Sequence, residues 1–291
     1  MKRIFSLIVV CLLAVPSSMM AAQDEPISAW DSRFTLLRSP TRQAQQLIAA
    51  AEEGHENIVR MLLAAPGINV NAQSRWNDTA LISAAERGHE NIVKELLAVP
   101  NIDVNTQSNY GTTALIIAAG RGYENVVKEL LAVPNIDVNT QGDYGTTALI
   151  RAAGMGREDI VKDLLVVPGI DVNLQNEDGN TALIYAASRG YEDIVARLLA
   201  APGIDVNLQN NDGKTALDFA VKKGHQNIAA MIRDVVPKKA RSFMFAYEQS
   251  RKTAISDPDP ERQTRLGDLH PDIARLIAEQ VLGKSSADRN D

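Results

Sequence analysis

The four histidines are the first side chains to consider for metal binding or proton transfer. Three of them, His55, His89 and His225, each follow a glycine and are separated by 34 residues or a multiple of 34. Catalytic groups must converge on one spot, whereas residues at such spacing are distributed along a repeating structure. We therefore predict a structural role for these three histidines, and His270 lies outside their series.

Other signatures of catalytic chemistry are missing from the sequence. It has no Gly-rich phosphate loop, His-Glu-x-x-His pattern or nucleophile elbow. Recurring acidic and amide residues such as Asp137 and Asn139 are typical of turns, where they satisfy backbone groups. The single cysteine, Cys11, allows neither a disulfide framework nor a thiolate metal site. We predict a protein that is not an enzyme and that uses no metal and no cofactor.

The same residues are part of an internal repeat. The triplet Thr-Ala-Leu begins at Thr79, Thr113, Thr147, Thr181 and Thr215. A helix-breaking glycine recurs at Gly54, Gly88, Gly122, Gly156, Gly190 and Gly224. Every step is 34 residues. Two markers kept in one register indicate a duplicated unit that stacks on its own copies.

Each unit reads as two helices and an extended finger. In one full copy, a short apolar helix runs to about Ala119, and a second helix starts near Glu124 with apolar residues on one face. Pro134 stops the second helix. Residues 136–139 then alternate apolar and polar, and residues 143–145 form a turn. A glycine in this turn predicts a positive φ.

In this order the units resemble the ankyrin repeat family, whose motifs are Thr-Pro-Leu-His, Gly-His, Ile-Val-x-x-Leu-Leu and Asp-Val-Asn. One copy here carries Gly88-His89, Ile92-Val93, Leu96-Leu97 and Asp103-Val104-Asn105. Alanine replaces the proline of the opening, and isoleucine or Asp218 replaces its histidine. The resemblance implies an all-α solenoid of stacked helix-turn-helix repeats with short β-hairpin-like fingers. It also implies non-covalent binding of another protein through a concave face.

The repeat register divides the chain into four parts. They are a signal peptide at 1–22, a linker with the start of a capping helix at 23–44, an ankyrin repeat domain at 45–237 and a C-terminal extension at 238–291 with one helix at 271–282. The domain holds six repeats, and the outer two are atypical because one face of each meets water.

The N-terminus has the pattern of a signal peptide. Lys2 and Arg3 precede an apolar run at 4–15 that is too short to span a bilayer. We expect cleavage after Ala21 or Ala22 and a secreted or periplasmic monomer without a membrane anchor. The net charge of −6 becomes more negative when Lys2 and Arg3 are removed. Nucleic acid is therefore not an expected partner.

One candidate binding surface is a row of residues that each precede a turn glycine. The row consists of Glu53, Arg87, Arg121, Met155, Arg189 and Lys223. Four of the six are cations, spaced by the roughly 8–10 Å of helix packing. We call this set the basic row. It could recognise an acidic peptide or protein surface. Alternatively, its cations only offset the dipoles of the helix ends.

A second candidate surface runs along the finger tips. Trp76, Tyr110 and Tyr144 occupy equivalent positions, followed by Asp178 and Asp212. We call the three aromatic residues the aromatic tips. Aromatics are common interface anchors, although each tip could instead fold over its neighbour. If both surfaces act together, the partner lies across repeats two to four.

The C-terminal extension suggests further possibilities. Residues 243–247, Phe-Met-Phe-Ala-Tyr, could dock on the last repeat. The predicted helix at 271–282 faintly resembles the opening of an F-box, through Leu269, Pro271, Asp272, Ile273 and Ile277. That likeness implies an adaptor or effector whose tail recruits a second partner. The other interpretations are a plain docking helix and an unrecognised enzyme site in the tail.

Overall fold

Each repeat folds as a pair of helices followed by a finger. The computed structural model describes residues 40–235, so the predicted signal peptide and C-terminal extension lie outside the described residues. The first helices of repeats 1 to 6 are α1 Pro40–Glu53, α3 Ala80–Arg87, α5 Ala114–Arg121, α7 Ala148–Gly154, α9 Ala182–Arg189 and α11 Ala216–Lys223. The second helices are α2 Glu56–Leu63, α4 Glu90–Leu97, α6 Glu124–Leu131, α8 Glu158–Leu165, α10 Glu192–Ala200 and α12 226–235. Of these residues, none is in a strand, and the fingers are turns.

Capping residues define where the first helix of each inner repeat starts and ends. The hydroxyl of Thr79 accepts a hydrogen bond from the backbone N–H of Ile82 at 3.2 Å, which caps α3. The threonines that open α5, α7, α9 and α11 make the same bond. At the other end, Gly88 has a φ of 74°, a left-handed conformation that glycine adopts without strain. Local capping therefore fixes these helices at about eight residues.

The helices form two layers, with first helices stacked on first helices and second helices on second helices. The core of the first layer is made of the leucine of Thr-Ala-Leu and of small alanines such as Ala84 and Ala85, which are fully buried. The second layer buries Ile92, Val93 and Leu96, the apolar face predicted for this helix. Each repeat therefore shares its core with its neighbours, so one unit alone could not bury it.

Amide side chains connect consecutive fingers. Asn105 donates from Nδ2 to the carbonyl of Asn135 at 2.8 Å, and its Oδ1 accepts from the N–H of Asp137 at 2.9 Å. Gln107 donates to the carbonyls of Gly111 at 2.7 Å and of Gln141 at 3.1 Å. Asp137 in turn accepts from the N–H of Asn139 at 2.9 Å. The turn-forming role predicted for Asp137 and Asn139 is confirmed.

The second helices carry ion pairs between repeats. Arg60 in α2 pairs with Glu95 in α4 at 2.6 Å, and Lys94 in α4 lies 3.5 Å from Glu129 in α6. The cation of one repeat thus meets the acid that lies 35 residues later. Such exposed pairs stabilise a protein by less than about 1 kcal/mol each, so the apolar layers dominate the stacking.

The residue after each turn glycine covers the glycine of the preceding repeat. A Cβ added to Gly88 would lie 2.7 Å from the ring of Tyr123, and one added to Gly54 would lie 2.7 Å from the ring of His89. The Nε2–H of His89 also donates to the carbonyl of Glu52 at 3.1 Å. His225 covers Gly190 in the same way. The structural role predicted for His89 and His225 is therefore confirmed.

His55 in the first repeat has a different neighbour. Its Nε2 lies 3.2 Å from a carboxylate oxygen of Glu53, within the same turn.

No helix in residues 40–235 is long and apolar enough to cross a membrane.

Candidate protein-binding face

One side of the molecule combines the finger tips with the C-terminal ends of the first helices, and we call it the finger-side face. Contacts between fingers and helices show that the two are adjacent. Asn176 of a finger donates from Nδ2 to the hydroxyl of Tyr185 in α9 at 3.1 Å. A Cβ on Gly142 of another finger would lie 3.1 Å from Ile116 in α5. Arg189 of the basic row lies four residues after Tyr185, so the two share one side of α9. We therefore assign both candidate surfaces to this face.

The aromatic tips are exposed rather than folded over their neighbours. Trp76 is 50% exposed, Tyr110 63% and Tyr144 67%. Arg75 lies 5.0 Å from the centre of the Trp76 ring, in cation–π range. Large exposed aromatic surface is costly in water and is typical of interface anchors.

Backbone hydrogen bonds hold the tips in position. The carbonyl of Trp76 accepts from the N–H of Asn109 at 2.9 Å, and the carbonyl of Tyr144 accepts from the N–H of Glu177 at 2.9 Å. Tyr144 has a φ of 53°, next to Gly145 with the positive φ predicted from the sequence. The conformation of Tyr144 itself was not predicted, because tyrosine rarely adopts positive φ. The rings are thus presented on ordered turns, which limits the entropy lost on binding.

Two cations of the basic row pair with acids of the preceding repeat. Arg87 donates from Nη2 to Oε1 of Glu52 at 2.8 Å, and Arg121 donates to Oε1 of Glu86 at 2.7 Å. The hydrogen bond with Glu52 is the main cause that raises the pKa of Arg87 above its usual value. These pairs were missed in the sequence because they join residues 35 positions apart.

The C-terminal end of the basic row lacks such acids. Gly154 and Ser188 occupy the positions that correspond to Glu52 and Glu86 in the first two repeats. Arg189 and Lys223 are exposed, and neither forms an ion pair with any residue of the described part of the chain. Met155, between the two halves of the row, is 52% exposed. Within residues 40–235, the cations of the basic row therefore form ion pairs in repeats 2 and 3 and none in repeats 5 and 6.

Three acids lie near one another at the other end of the face. Burial raises the pKa of Asp78, and the nearby carboxylates of Glu86 and Glu52 raise it further. The three acids lie around the finger and helix ends of repeats 1 and 2. The cations of the basic row are therefore paired at the end where these acids lie. At the other end they form no ion pair within residues 40–235, and the tip positions there carry Asp178 and Asp212.

One variable position on this face was not predicted from the sequence. The fifth residue counted from each N-cap threonine is Ser83, Ile117, Arg151, Tyr185 or Phe219, while the residues around it hardly change. Tyr185 and Phe219 are partly exposed and lie at the basic end. Ser83 is buried, and Ile117, Tyr185 and Phe219 pack against the core, so this position lies at the edge of the shared core.

The repeats match a known protein family. A family model described as ankyrin repeats in three copies matches residues 47–142, 98–176 and 149–238. The chain belongs to the ankyrin repeat family. Ankyrin repeats are modules of protein–protein interaction and generally non-enzymatic scaffolds. Within residues 40–235, no group of His, Cys, Asp and Glu side chains could hold a metal ion.

Solved ankyrin repeat structures are similar over about two thirds of the chain. The ankyrin repeat protein EF0377 is 30% identical with a TM-score of 0.61, over 65% of this chain and 96% of that one. An ankyrin repeat domain from Acinetobacter baumannii is 29% identical with a TM-score of 0.60, over 65% and 96%. A chain from a Bdellovibrio bacteriovorus complex of a predatory endopeptidase with an immunity protein is 31% identical with a TM-score of 0.57, over 65% and 97%. No match was found among curated proteins.

Proposed function

We propose that this ankyrin repeat protein is exported and binds another protein non-covalently through the finger-side face. The observation that carries the proposal is the exposure of Trp76, Tyr110 and Tyr144 on turns held by backbone hydrogen bonds. A monomer gains nothing from three ordered, exposed aromatic side chains at equivalent positions, whereas a partner that covers them gains apolar contact area.

The charges of the face favour a partner with an acidic surface or peptide. Arg189 and Lys223 are exposed and form no ion pair within residues 40–235, so a carboxylate of the partner would not have to displace an acid of that part of the chain. Arg87 already donates to Glu52, and a partner carboxylate would have to compete with that bond. The proposed contact for acidic groups is therefore in repeats 5 and 6, beside Tyr185, rather than in repeats 2 to 4.

Export rests on the sequence of residues 1–22 alone, which has the order of a basic start, an apolar run and small residues.

One similar structure is a complex between two bacterial proteins, an endopeptidase and an immunity protein, which supports protein binding as the role of the scaffold. The adaptor hypothesis and the hypothesis of an enzyme site concern residues 238–291, and both stay predictions.

The proposal is tested by affinity capture from extracellular or periplasmic extract, with residues 23–291 as bait. A parallel bait carries Trp76→Ala, Tyr110→Ala and Tyr144→Ala. A control bait carries Met61→Ala and Val166→Ala, two exposed apolar residues that belong to second-helix segments away from the face. Circular dichroism checks that all baits fold equally.

A partner retained by the native and control baits and lost by the aromatic variant supports the proposal. Equal capture of the partner by all three baits would contradict it. Cleavage of the full-length chain between residues 20 and 23 in an exporting cell, detected by N-terminal mass spectrometry, tests export separately. An uncleaved chain that stays in the cytoplasm would refute that part.

A further inference from the structure

Within residues 40–235, repeat 6 has no successor, so the surface by which every other repeat contacts the next one is exposed there. The leucine of the opening triplet is 1% exposed in the first five copies, Leu47, Leu81, Leu115, Leu149 and Leu183. The alanine four residues later is 0% exposed in Ala51, Ala85, Ala119, Ala153 and Ala187. In repeat 6 the corresponding Leu217 is only partly buried, and Val221 is 47% exposed.

The turn glycine of repeat 6 is open as well. Elsewhere a planar side chain of the next repeat covers this glycine, as Tyr123 covers Gly88 and Tyr191 covers Gly156. No described atom lies within 4 Å of a Cβ built on Gly224. This exposed end of repeat 6, which we call the end face, therefore resembles the surface that apolar side chains and a planar ring cover in the other repeats. Val221 stands there in place of the alanine of the other copies and adds apolar surface.

We propose that residues 243–247 of the same chain, Phe-Met-Phe-Ala-Tyr, cover this end face. Only seven residues separate them from residue 235, and an extended segment of that length reaches up to about 25 Å, about the width of two helices. Aromatic residues make up 4% of the chain, yet three of these five are aromatic. A ring of this segment fits over Gly224 as the ring of Tyr123 fits over Gly88.

Coverage by this segment would make the C-terminal extension part of the repeat domain. It would bury Val221 and Leu217, and so act as a cap that is not itself a repeat. The same face could otherwise receive a second copy of the chain or the predicted helix at 271–282. These two occupants are the competing outcomes of the experiment.

Disulfide trapping distinguishes the occupants in the full-length chain. A Cys11→Ser background removes the native thiol, and Val221→Cys is combined with Phe245→Cys. A matched pair combines Val221→Cys with Ile277→Cys. Because a disulfide requires Cα atoms within about 7 Å, only a segment on the end face forms the bond readily. We expect an internal disulfide in monomers of the first pair and none in the second.

Hydrogen exchange gives an independent readout that does not need introduced cysteines. Phe243→Ser, Phe245→Ser and Tyr247→Ser together should speed exchange of α11 and α12 amides about tenfold, since the open end then unfolds locally. Ile273→Ser, Leu276→Ser and Ile277→Ser together should leave these amides unchanged. Unchanged exchange in the first variant, an internal disulfide to Ile277→Cys, or dimers linked through Val221→Cys alone would each overturn the proposal.

Discussion

The guanidinium of Arg87 reaches back by one repeat and donates to Oε1 of Glu52 at 2.8 Å. Arg121 repeats this bond with Glu86 at 2.7 Å. In a stacked repeat protein, the neighbour of a side chain is thus the residue about 35 positions away as much as the one beside it. A row of cations at one repeat position consequently contains paired and unpaired members.

This difference predicts unequal effects on binding. Arg189→Ala with Lys223→Ala should weaken binding of an acidic partner about tenfold, because the variant removes cations that form no ion pair within residues 40–235. Arg87→Ala with Arg121→Ala should weaken it by about threefold or less, because these guanidinium groups are already hydrogen-bonded. Biolayer interferometry with the captured partner measures both.

The difference in affinity for the partner between the two variants should become smaller as the salt concentration rises, since exposed charges are screened. A larger loss for the Arg87 and Arg121 variant than for the Arg189 and Lys223 variant would contradict the assignment of the free cations.

The turn glycines predict a matched pair of stability changes. Gly88→Ala should lower the free energy of unfolding by about 2–4 kcal/mol, through the cost of a positive φ and a clash with the ring of Tyr123. Gly203 has a φ of 78° and nothing within 4 Å of an added Cβ, so Gly203→Ala should cost only about 1–2 kcal/mol. Urea unfolding followed by circular dichroism compares them, and equal costs would show that the ring contact contributes nothing.

The finger amides predict a second matched pair. Asn139 donates to the carbonyl of Gly169 at 2.8 Å and accepts from the N–H of Asp171 at 2.9 Å. Asn139→Ala should therefore destabilise the protein by about 1–2 kcal/mol. Asn207 holds the same position in the last finger, where no such bonds to a following repeat exist among the described residues. Asn207→Ala should change the free energy of unfolding by less than about 0.5 kcal/mol.

Two carboxylates predict pH effects of opposite sign. Burial and nearby acids raise the pKa of Asp78 in the folded protein, so its contribution to stability is full below the unfolded pKa and is lost as the pH rises through the folded value. Asp78→Asn should therefore stabilise the protein at pH 7 and have little effect near pH 3. Hydrogen bonds from Lys94 and Asn125 lower the pKa of Glu90, so its contribution is present above the unfolded pKa and is lost as the pH falls through the folded value.

Glu90→Gln should accordingly destabilise the protein at pH 7, with an effect that fades toward pH 3. Urea midpoints at the two pH values measure both variants in one series. A lower midpoint for Asp78→Asn at pH 7 would mean that its carboxylate makes a stabilising contact that outweighs its burial.

The repeat architecture was accessible from the sequence for local reasons. Thr79 caps a helix with its own hydroxyl, Gly88 ends that helix, and Ile92, Val93 and Leu96 mark the buried face of the next one. Each signal acts within a few residues and recurs at a fixed interval, so the fold follows from the pattern. The aromatic tips were also found this way, because a fingertip position is defined by its adjacent turn.

The interactions between repeats depend on the stacked structure. No local rule states that Arg87 meets Glu52, that the ring of Tyr123 lies on Gly88, or that Tyr185 lies beside a finger. These contacts join residues 9 to 35 positions apart, and their geometry depends on how far each repeat turns and shifts on the last. The sequence by itself determined the solenoid and its candidate face. Only the tertiary structure decided which cations of that face form ion pairs within residues 40–235, because an acid in the adjacent repeat binds some of them and a glycine or serine stands in its place beside others.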